Sequence, residues 1–194
     1  MNTYNCLLCG VGGQGTVLAS KLIAYAAMQK NMNVRTSETI GMAQRGGSVV
    51  SHVRCGDNIN SPIIAKHTAQ VLIAFEPGEA VRCLDYLSPD GVVIVNNKAV
   101  MPTTANFGAQ YDENEMFDYL KKNVKNLIIV DGNDICNKCN SNKVLNIALL
   151  AVAAKTNKLS IGIDELKKAI KFKIPEKFHD INIAAVDYAV QKYM

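Results

Sequence analysis

Residues 7–15 read Leu-Leu-Cys-Gly-Val-Gly-Gly-Gln-Gly, and this stretch decides the fold class of the chain. It opens with a short apolar run at residues 7–11 and ends in closely spaced glycines. From residue 16 to residue 30 the apolar side chains recur at helical spacing. A strand, a glycine turn and a helix in this order predict the first unit of an α/β sheet.

The glycine loop, residues 10–15, fits the pattern Gly-x-Gly-x-x-Gly through Gly10, Gly12 and Gly15. Glycine allows a tight turn and the close approach of a ligand phosphate, and the helix behind it offers unpaired N–H groups. A dinucleotide site would also use an acidic residue near the end of the second strand, where Glu38 lies. Three interpretations stay open: helix packing, contact with an anion or cofactor, and contact with a partner protein.

A second glycine segment, residues 38–48, leads directly into an alternating strand at residues 48–55. Three of the four arginines, Arg35, Arg45 and Arg54, lie in or beside it. Arginine suits bidentate contact with a carboxylate or phosphate. The segment is therefore either a ligand or subunit contact, or a loop whose arginines form internal ion pairs.

Further along the chain, strands alternate with helices and then give way to helices alone. Apolar runs predict three more strands at residues 71–75, 92–95 and 127–130, and helical spacing recurs at 112–123, 143–155, 164–170 and 181–192. No repeat or Gly/Ser linker divides the sequence. We expect one domain over residues 1–194: a three-layer α/β/α, Rossmann-like sheet with a helical C-terminal cap.

The composition is that of an ordinary globular protein. Hydrophobic residues make up 48% of the 194 positions, and charged residues 20%. The net charge of +4 is too small to indicate a nucleic-acid partner. The longest apolar stretch, residues 144–154, is too short for a membrane span, and no basic segment followed by an apolar one marks a secretory signal. We therefore expect a cytoplasmic chain, away from membranes, with six free thiols.

The two glycine segments together resemble a known family. Residues 10–15 read Gly-Val-Gly-Gly-Gln-Gly, and residues 38–54 read Glu-Thr-Ile-Gly-Met-Ala-Gln-Arg-Gly-Gly-Ser-Val-Val-Ser-His-Val-Arg. This pair is similar to the gamma subunit of the 2-oxoacid:ferredoxin oxidoreductases. The resemblance covers nearly the whole chain, including Asn182 before the last helix. The Gln-Arg-Gly-Gly-Ser form at residues 44–48 resembles the arylpyruvate (indolepyruvate) branch.

The resemblance implies a subunit that is inactive alone. Enzymes of this family decarboxylate a 2-oxoacid, form an acyl-CoA and pass electrons to ferredoxin. Thiamine diphosphate, Mg²⁺ and the [4Fe–4S] clusters are then expected in a large (alpha) partner subunit, with coenzyme A as a substrate. The sequence agrees, because it has no C-x₂-C-x₂-C-x₃-C-P run and no Gly-Asp-Gly start of a thiamine diphosphate motif.

The resemblance also suggests where this chain faces coenzyme A and the large subunit. We assign it no catalytic residue and no metal ligand. The candidate binding residues are Gly10, Gly12, Gly13, Gln14, Gly15, Gln44, Arg45, Gly46, Gly47 and Ser48.

Several features do not follow from the resemblance. Cys136 and Cys139 form a C-x-x-C pair in an apparent loop at residues 133–142, ahead of a helix. Idle thiols, a redox pair and a metal site are the possible interpretations. Cys6 and Cys9 have the same spacing but fall on a strand, so they should point to opposite faces.

Histidines and lysines are also open to more than one interpretation. The three histidines are far apart in sequence, and His52 is either satisfied by its neighbours or directed at a ligand. A basic run near one helix end indicates a solvated face, or a surface attractive to acidic ferredoxin; it comprises Lys167, Lys168, Lys171 and Lys173.

Two rival functions remain in view. One is a stand-alone dinucleotide-binding oxidoreductase that uses the glycine loop. The other is a non-catalytic binding module in which Cys136 and Cys139 sense the redox state. The isolated chain is also a possible homo-oligomer, because a bare partner surface promotes self-association.

Overall fold

The computed structural model describes residues 3–40, 46–100 and 111–194. Within these ranges six strands form one mixed sheet in the order β2-β3-β1-β4-β5-β6. Strands β1, β4, β5 and β6 pair in parallel, whereas β3 runs antiparallel to β1 and β2. The strands are β1 (Thr3–Val11), β2 (Asn33–Ile40), β3 (Ser48–Gly56), β4 (Ala69–Ala74), β5 (Leu87–Asn96) and β6 (Asn126–Val130).

Helices cover both faces of the sheet. On one face α1 and α4–α7 pack over strand residues such as Leu8 and Ile73, and on the other α2 and α3 cover Leu7 and Leu72. The predicted three-layer α/β/α architecture is confirmed. The helices are α1 (Thr16–Gln29), α2 (Pro77–Cys83), α3 (Glu113–Asn123), α4 (Gly132–Lys138), α5 (Leu145–Lys155), α6 (Ile163–Lys173) and α7 (His179–Tyr193).

The alternation in β3 sends its side chains to opposite layers, as predicted. Val53 and Cys55 lie in the core beneath α1, while Val50 packs in the core on the α2–α3 side. Because β3 pairs with β1, the hairpin of β2 and β3 displaces β2 to the edge of the sheet. In the Rossmann arrangement the second strand lies directly beside the first.

Helix α5 is the centre of the larger helical layer. Every residue from Asn146 to Ala154 is buried, because α5 contacts α1, α6 and α7 as well as strands β4 and β5. This explains the longest apolar stretch of the sequence as a core helix. No helix in the described part of the chain is long and apolar enough to cross a membrane.

One predicted element is wrong. The polar stretch at residues 133–142 was expected to be a loop, but it contains α4 (Gly132–Lys138) and the start of a 3-10 turn at Asn142–Val144. The Asp131 side chain accepts a hydrogen bond from the N–H of Asp134 at 3.0 Å and so caps α4. The helix has no apolar periodicity in its sequence, because Ile135 and Cys136 are its only side chains in the core.

Candidate functional site

The parallel strands bring several sequence-distant residues to one edge of the sheet. The glycine loop follows β1, Glu76 follows β4, Asn96 ends β5 and Asp131 follows β6. In open α/β sheets this carboxyl edge is where ligands bind. The predicted site residues in the glycine loop therefore lie at the favoured edge.

Two glycines of the loop are required by the backbone. Gly13 and Gly15 have φ angles of +98° and +84°, in the left-handed region that disfavours other residues. A Cβ on Gly15 would lie 2.6 Å from Nδ2 of Asn146, on α5. The loop can pack against α5 only because Gly15 has no side chain.

Gln14 holds the loop in shape from within. Its Oε1 accepts a hydrogen bond from the N–H of Val11 at 2.8 Å, and its Nε2 donates to the carbonyl of Phe75 at 3.2 Å. A Cβ on Gly10 would meet both Gln14 and Phe75 at less than 3.0 Å. Gly10 and Gln14 thus hold the loop against Phe75, the residue that follows β4.

The two glycine segments meet in space. The N–H of Gly12 donates to the carbonyl of Gly47 at 2.9 Å, and Gly46 has a φ of +75°. The structure thereby brings Gly46, Gly47 and Ser48 next to the glycine loop. The predicted site residues Gln44 and Arg45 lie outside the described residues.

Sequence reasoning missed a pair of buried carboxylates behind the second glycine segment. Ser48 Oγ donates to Glu79 Oε2 at 2.6 Å. Glu76, only 1% exposed, accepts hydrogen bonds from the N–H of Glu79 at 2.9 Å and from the hydroxyl of Tyr111. Burial and the two carboxylates raise the pKa of Tyr111. The signal in the sequence was Glu-Pro-Gly-Glu at residues 76–79, since an acidic residue before a proline suits a helix start.

A depression of about 380 Å³ opens between the glycine loop and the start of α5. Helix α1 begins directly after the loop residues that line this space, and no side chain among the described residues caps it, so the partial positive charge of its N-terminus lies beside the depression. Lys143, in the turn before α5, adds a full positive charge. These groups suit a phosphate or another anion. The lining comprises Gly13, Gln14, Gly15, Leu18, Asn142, Lys143, Leu145 and Asn146.

Glu38 is not placed for a dinucleotide. It lies on the edge strand β2, separated from β1 by β3, and its Oε1 accepts a hydrogen bond from Ser20 Oγ at 3.0 Å. A ribose-binding acid would have to stand beside the glycine loop. The interposed hairpin therefore removes the acidic partner that the stand-alone dinucleotide alternative requires.

The hydrogen bonds of Arg54 and His52 stabilise the fold. Arg54 donates to Asn5 Oδ1 at 3.0 Å and to the carbonyl of Ser61 at 2.9 Å, so it fastens the loop after β3. His52 is buried, and its Nδ1 accepts the N–H of Ile64 at 3.2 Å. Burial lowers the pKa of His52 and favours the neutral ring. Arg35 lies exposed on β2.

The cysteine pairs differ from redox motifs in their placement. Cys6 and Cys9 point into opposite cores, as predicted. The pair precedes α5, as predicted, but it does not lie in a loop: Cys136 is in α4 and Cys139 is the C-cap of that helix. The C-terminal end of a helix disfavours a thiolate, and burial raises the pKa of both thiols. Across the described ranges no group of three or more His, Cys, Asp or Glu side chains is arranged to hold a metal ion.

Comparison with known proteins finds relatives by sequence along nearly the whole chain. The family model described as pyruvate ferredoxin/flavodoxin oxidoreductase matches residues 5–192. Indolepyruvate oxidoreductase subunit IorB of Archaeoglobus fulgidus is 38% identical over 184 residues, which are 94% of this chain and 91% of the relative. The pyruvate/ketoisovalerate oxidoreductases common subunit gamma of Pyrococcus furiosus is 29% identical over 188 residues, 94% of this chain and 93% of the relative.

Solved structures share the fold. The crystal structure of pyruvate oxidoreductase subunit PORC from Thermotoga maritima has a TM-score of 0.74 at 20% identity, covering 100% of this chain and 98% of that one. The 2-oxoglutarate:ferredoxin oxidoreductase from Magnetococcus marinus, solved with coenzyme A bound, has a TM-score of 0.70 at 17% identity. That match covers 98% of this chain and 31% of the other. Sequence and fold agree along the whole length, and the chain belongs to the pyruvate ferredoxin/flavodoxin oxidoreductase family.

Proposed function

We propose that this chain is the small subunit of an indolepyruvate (arylpyruvate) ferredoxin oxidoreductase. Such a complex oxidatively decarboxylates a 2-oxoacid to an acyl-CoA and transfers the electrons to ferredoxin. The full-length similarity to the subunit of Archaeoglobus fulgidus, at 38% identity, is the observation that carries the proposal. Identity is 30–38% to the indolepyruvate subunits and 26–29% to the pyruvate/ketoisovalerate gamma subunits, which favours the arylpyruvate branch.

The depression beside the glycine loop is proposed to hold the phosphates of coenzyme A. The N-terminus of α1, which follows the lining residues Gly13 and Gly15, and the ammonium of Lys143 would supply the positive charge there. Gly12 joins this loop to the second glycine segment, so binding would engage both. Gly10 and Gln14 shape the loop, and Gln44 to Ser48 are proposed to face the large subunit or the coenzyme.

Decarboxylation and electron transfer are proposed to take place in the large subunit. Thiamine diphosphate with Mg²⁺ supports decarboxylation there, and [4Fe–4S] clusters carry the electrons. This chain would complete the site by holding coenzyme A and excluding water, with no general base or nucleophile of its own. We also propose that it acts as one domain, because α5 and α7 pack with α1 and the sheet in a common core. Its proposed location is the cytoplasm.

Neither rival function gains support. In the dinucleotide-binding alternative Glu38 would bind the ribose, but it lies on the edge strand β2 and accepts a hydrogen bond from Ser20. The acids nearer the loop, Glu76 and Glu79, accept hydrogen bonds from Tyr111 and Ser48. The redox-sensing alternative would need reactive thiols, whereas burial raises the pKa of Cys136 and Cys139.

Reconstitution tests the proposal. Purified chain and the large subunit of the same organism are mixed, and viologen reduction is followed with indolepyruvate, coenzyme A and thiamine diphosphate. We expect activity only when both chains are present. Full activity of the large subunit alone, together with no binding to this chain, would contradict the proposal.

Lys143→Ala is the matched probe of the coenzyme site. Lys143 is exposed, so the variant should fold and still assemble with the large subunit. We expect its KM for coenzyme A to rise and its KM for indolepyruvate to stay unchanged. Lys122→Ala, on the opposite helical layer, is the control.

A further inference from the structure

Exposed apolar side chains form a strip along α1 and the neighbouring end of α6. Met28 is 59% exposed and Phe172 is 65% exposed, and the partly buried Tyr25 lies between them. Leu18, Tyr25 and Met28 follow at spacings of seven and three residues, which places them on one face of α1. We call these residues, together with Phe178 at the start of α7, the α1 strip.

The α1 strip is continuous with the depression at the glycine loop. Leu18 and Lys143 line both that depression and an adjoining apolar groove of about 330 Å³, whose floor includes Phe178 and Ile181. Lys173 lines this groove and also the hollow over Tyr25 and Met28. A ligand or protein segment could therefore pass from the glycine loop along α1 without leaving the surface.

The aromatic residues of the strip are held in place before any partner binds. The rings of Tyr25 and Phe172 stack with centroids 4.4 Å apart and planes 10° from parallel. The ammonium of Lys173 lies 4.9 Å from the Tyr25 ring and 5.3 Å from the Phe172 ring. Asn182 donates to the carbonyl of Phe178 at 2.7 Å and fixes the corner next to the groove. Such pre-organised aromatic groups are typical of interface anchors.

The charged side chains that line the hollows of the strip are positive, and the exposed acids Glu176 and Asp180 lie only at its Phe178 end. The described residues that line the two depressions and the groove include Lys21, Lys143 and Lys173 and no carboxylate. Lys168 lies one helical turn before Phe172 and adds to the same face. A second copy docked face to face would oppose these lysines to one another, so charge disfavours a symmetric dimer here.

We propose that the α1 strip is the docking surface for an acidic segment of the large subunit that packs apolar side chains against Met28 and the stacked rings of Tyr25 and Phe172. The inference rests on the proposed function, because that function supplies the large subunit as the partner. Exposed apolar surface ringed by charge is the usual signature of a protein contact. The lysines would steer the acidic segment, and the aromatic rings would supply most of the binding free energy.

Affinity of the large subunit for surface variants tests the proposal. Phe172→Ser and Lys173→Glu alter the strip, while Tyr119→Ser and Lys122→Glu alter exposed residues of α3 on the opposite layer. We expect each strip variant to raise the Kd at least about tenfold, as hot-spot truncations do, and each control to leave it within about twofold. The wild-type Kd should rise with salt concentration, and that of Lys173→Glu should rise less steeply.

Amine labelling of the wild-type complex gives a second readout that does not depend on variants. Lys21 and Lys173 should be protected from acetylation in the complex, and Lys122 should not. Unchanged affinity of both strip variants, or labelling of Lys173 in the complex, would overturn the docking surface and leave the proposed function standing. If the wild-type chain does not bind the large subunit at all, both the function and the docking surface are wrong.

Discussion

Gly15 shows how a single missing side chain sets the geometry of the site. Its left-handed φ of +84° and the 2.6 Å approach of Asn146 both exclude a Cβ. Gly13 has a similar φ, but no atom lies within 4 Å of its ideal Cβ position. A side chain there is therefore disfavoured by the backbone conformation and not by a clash. Comparing the two positions separates conformational strain from a steric clash.

Gly13→Ala should lower the free energy of unfolding by about 1–2 kcal/mol, the cost of a left-handed alanine. Gly15→Ala should lower it further, because the new methyl group meets Asn146. The double variant with Asn146→Ala should recover part of the difference. Urea denaturation measures all three, and equal losses at both glycines would contradict the role of Asn146.

His52 makes the stability of the fold dependent on pH. Burial lowers its pKa in the folded chain, whereas the unfolded chain keeps the ordinary value of 6.5. As pH falls below that value, the unfolded chain binds the proton first, so the free energy of unfolding decreases, by at most about 1.4 kcal/mol per pH unit. The stabilisation is fully present above pH 6.5.

His52→Asn tests this dependence, since Asn Oδ1 is attached to Cγ as Nδ1 is and can still accept the N–H of Ile64 without titrating. Between pH 7.5 and pH 5 the wild-type chain should lose more stability than the variant. Urea titrations at several pH values measure the difference. If the free energy of unfolding decreased equally with pH in the wild-type chain and the variant, another group would be responsible.

Among the helices, α2 should lose more stability without its capping residue, Glu76, than an exposed helix loses without its cap. Glu76 caps α2 and also accepts a hydrogen bond from the hydroxyl of the half-buried Tyr111. The exposed Asp112 caps α3 by accepting one hydrogen bond from the N–H of Asn114. Glu76→Ala should cost about 2–3 kcal/mol, and Asp112→Ala about 1 kcal/mol. Thermal unfolding with matched buffers checks the ranking, and similar losses would disprove the added role of Tyr111.

At the scale of the whole molecule, the two cores share one sheet. Leu150 of α5 lies in the core on one face, and Leu120 of α3 in the core on the other. Because the strands contribute alternate side chains to both, we expect them to unfold together. Leu150→Ala and Leu120→Ala should each lower stability by about 2–5 kcal/mol while keeping a single transition. Separate transitions by fluorescence and circular dichroism would contradict the single domain.

Much of the fold could be predicted from local pattern alone. The strand, glycine turn and helix at residues 7–30, the alternation of β3 and the helical C-terminal part are local features, and all are present. The sequence also identified the family, because the two glycine segments are close to diagnostic in combination. The polar helix α4 was not predicted, because its buried face has only two side chains.

Strand order and long-range contacts were decided only by the tertiary structure. The placing of β3 between β1 and β2 moved Glu38 away from the glycine loop, and no local pattern encodes which strands pair. The contacts of Gly15 with Asn146 and of Ser48 with Glu79 join residues 131 and 31 positions apart. Local sequence pattern accounts for the strands, the glycine turns and the helices other than α4, because those choices depend on neighbours along the chain. The assembled site depends on packing across the sheet, which only the folded chain supplies.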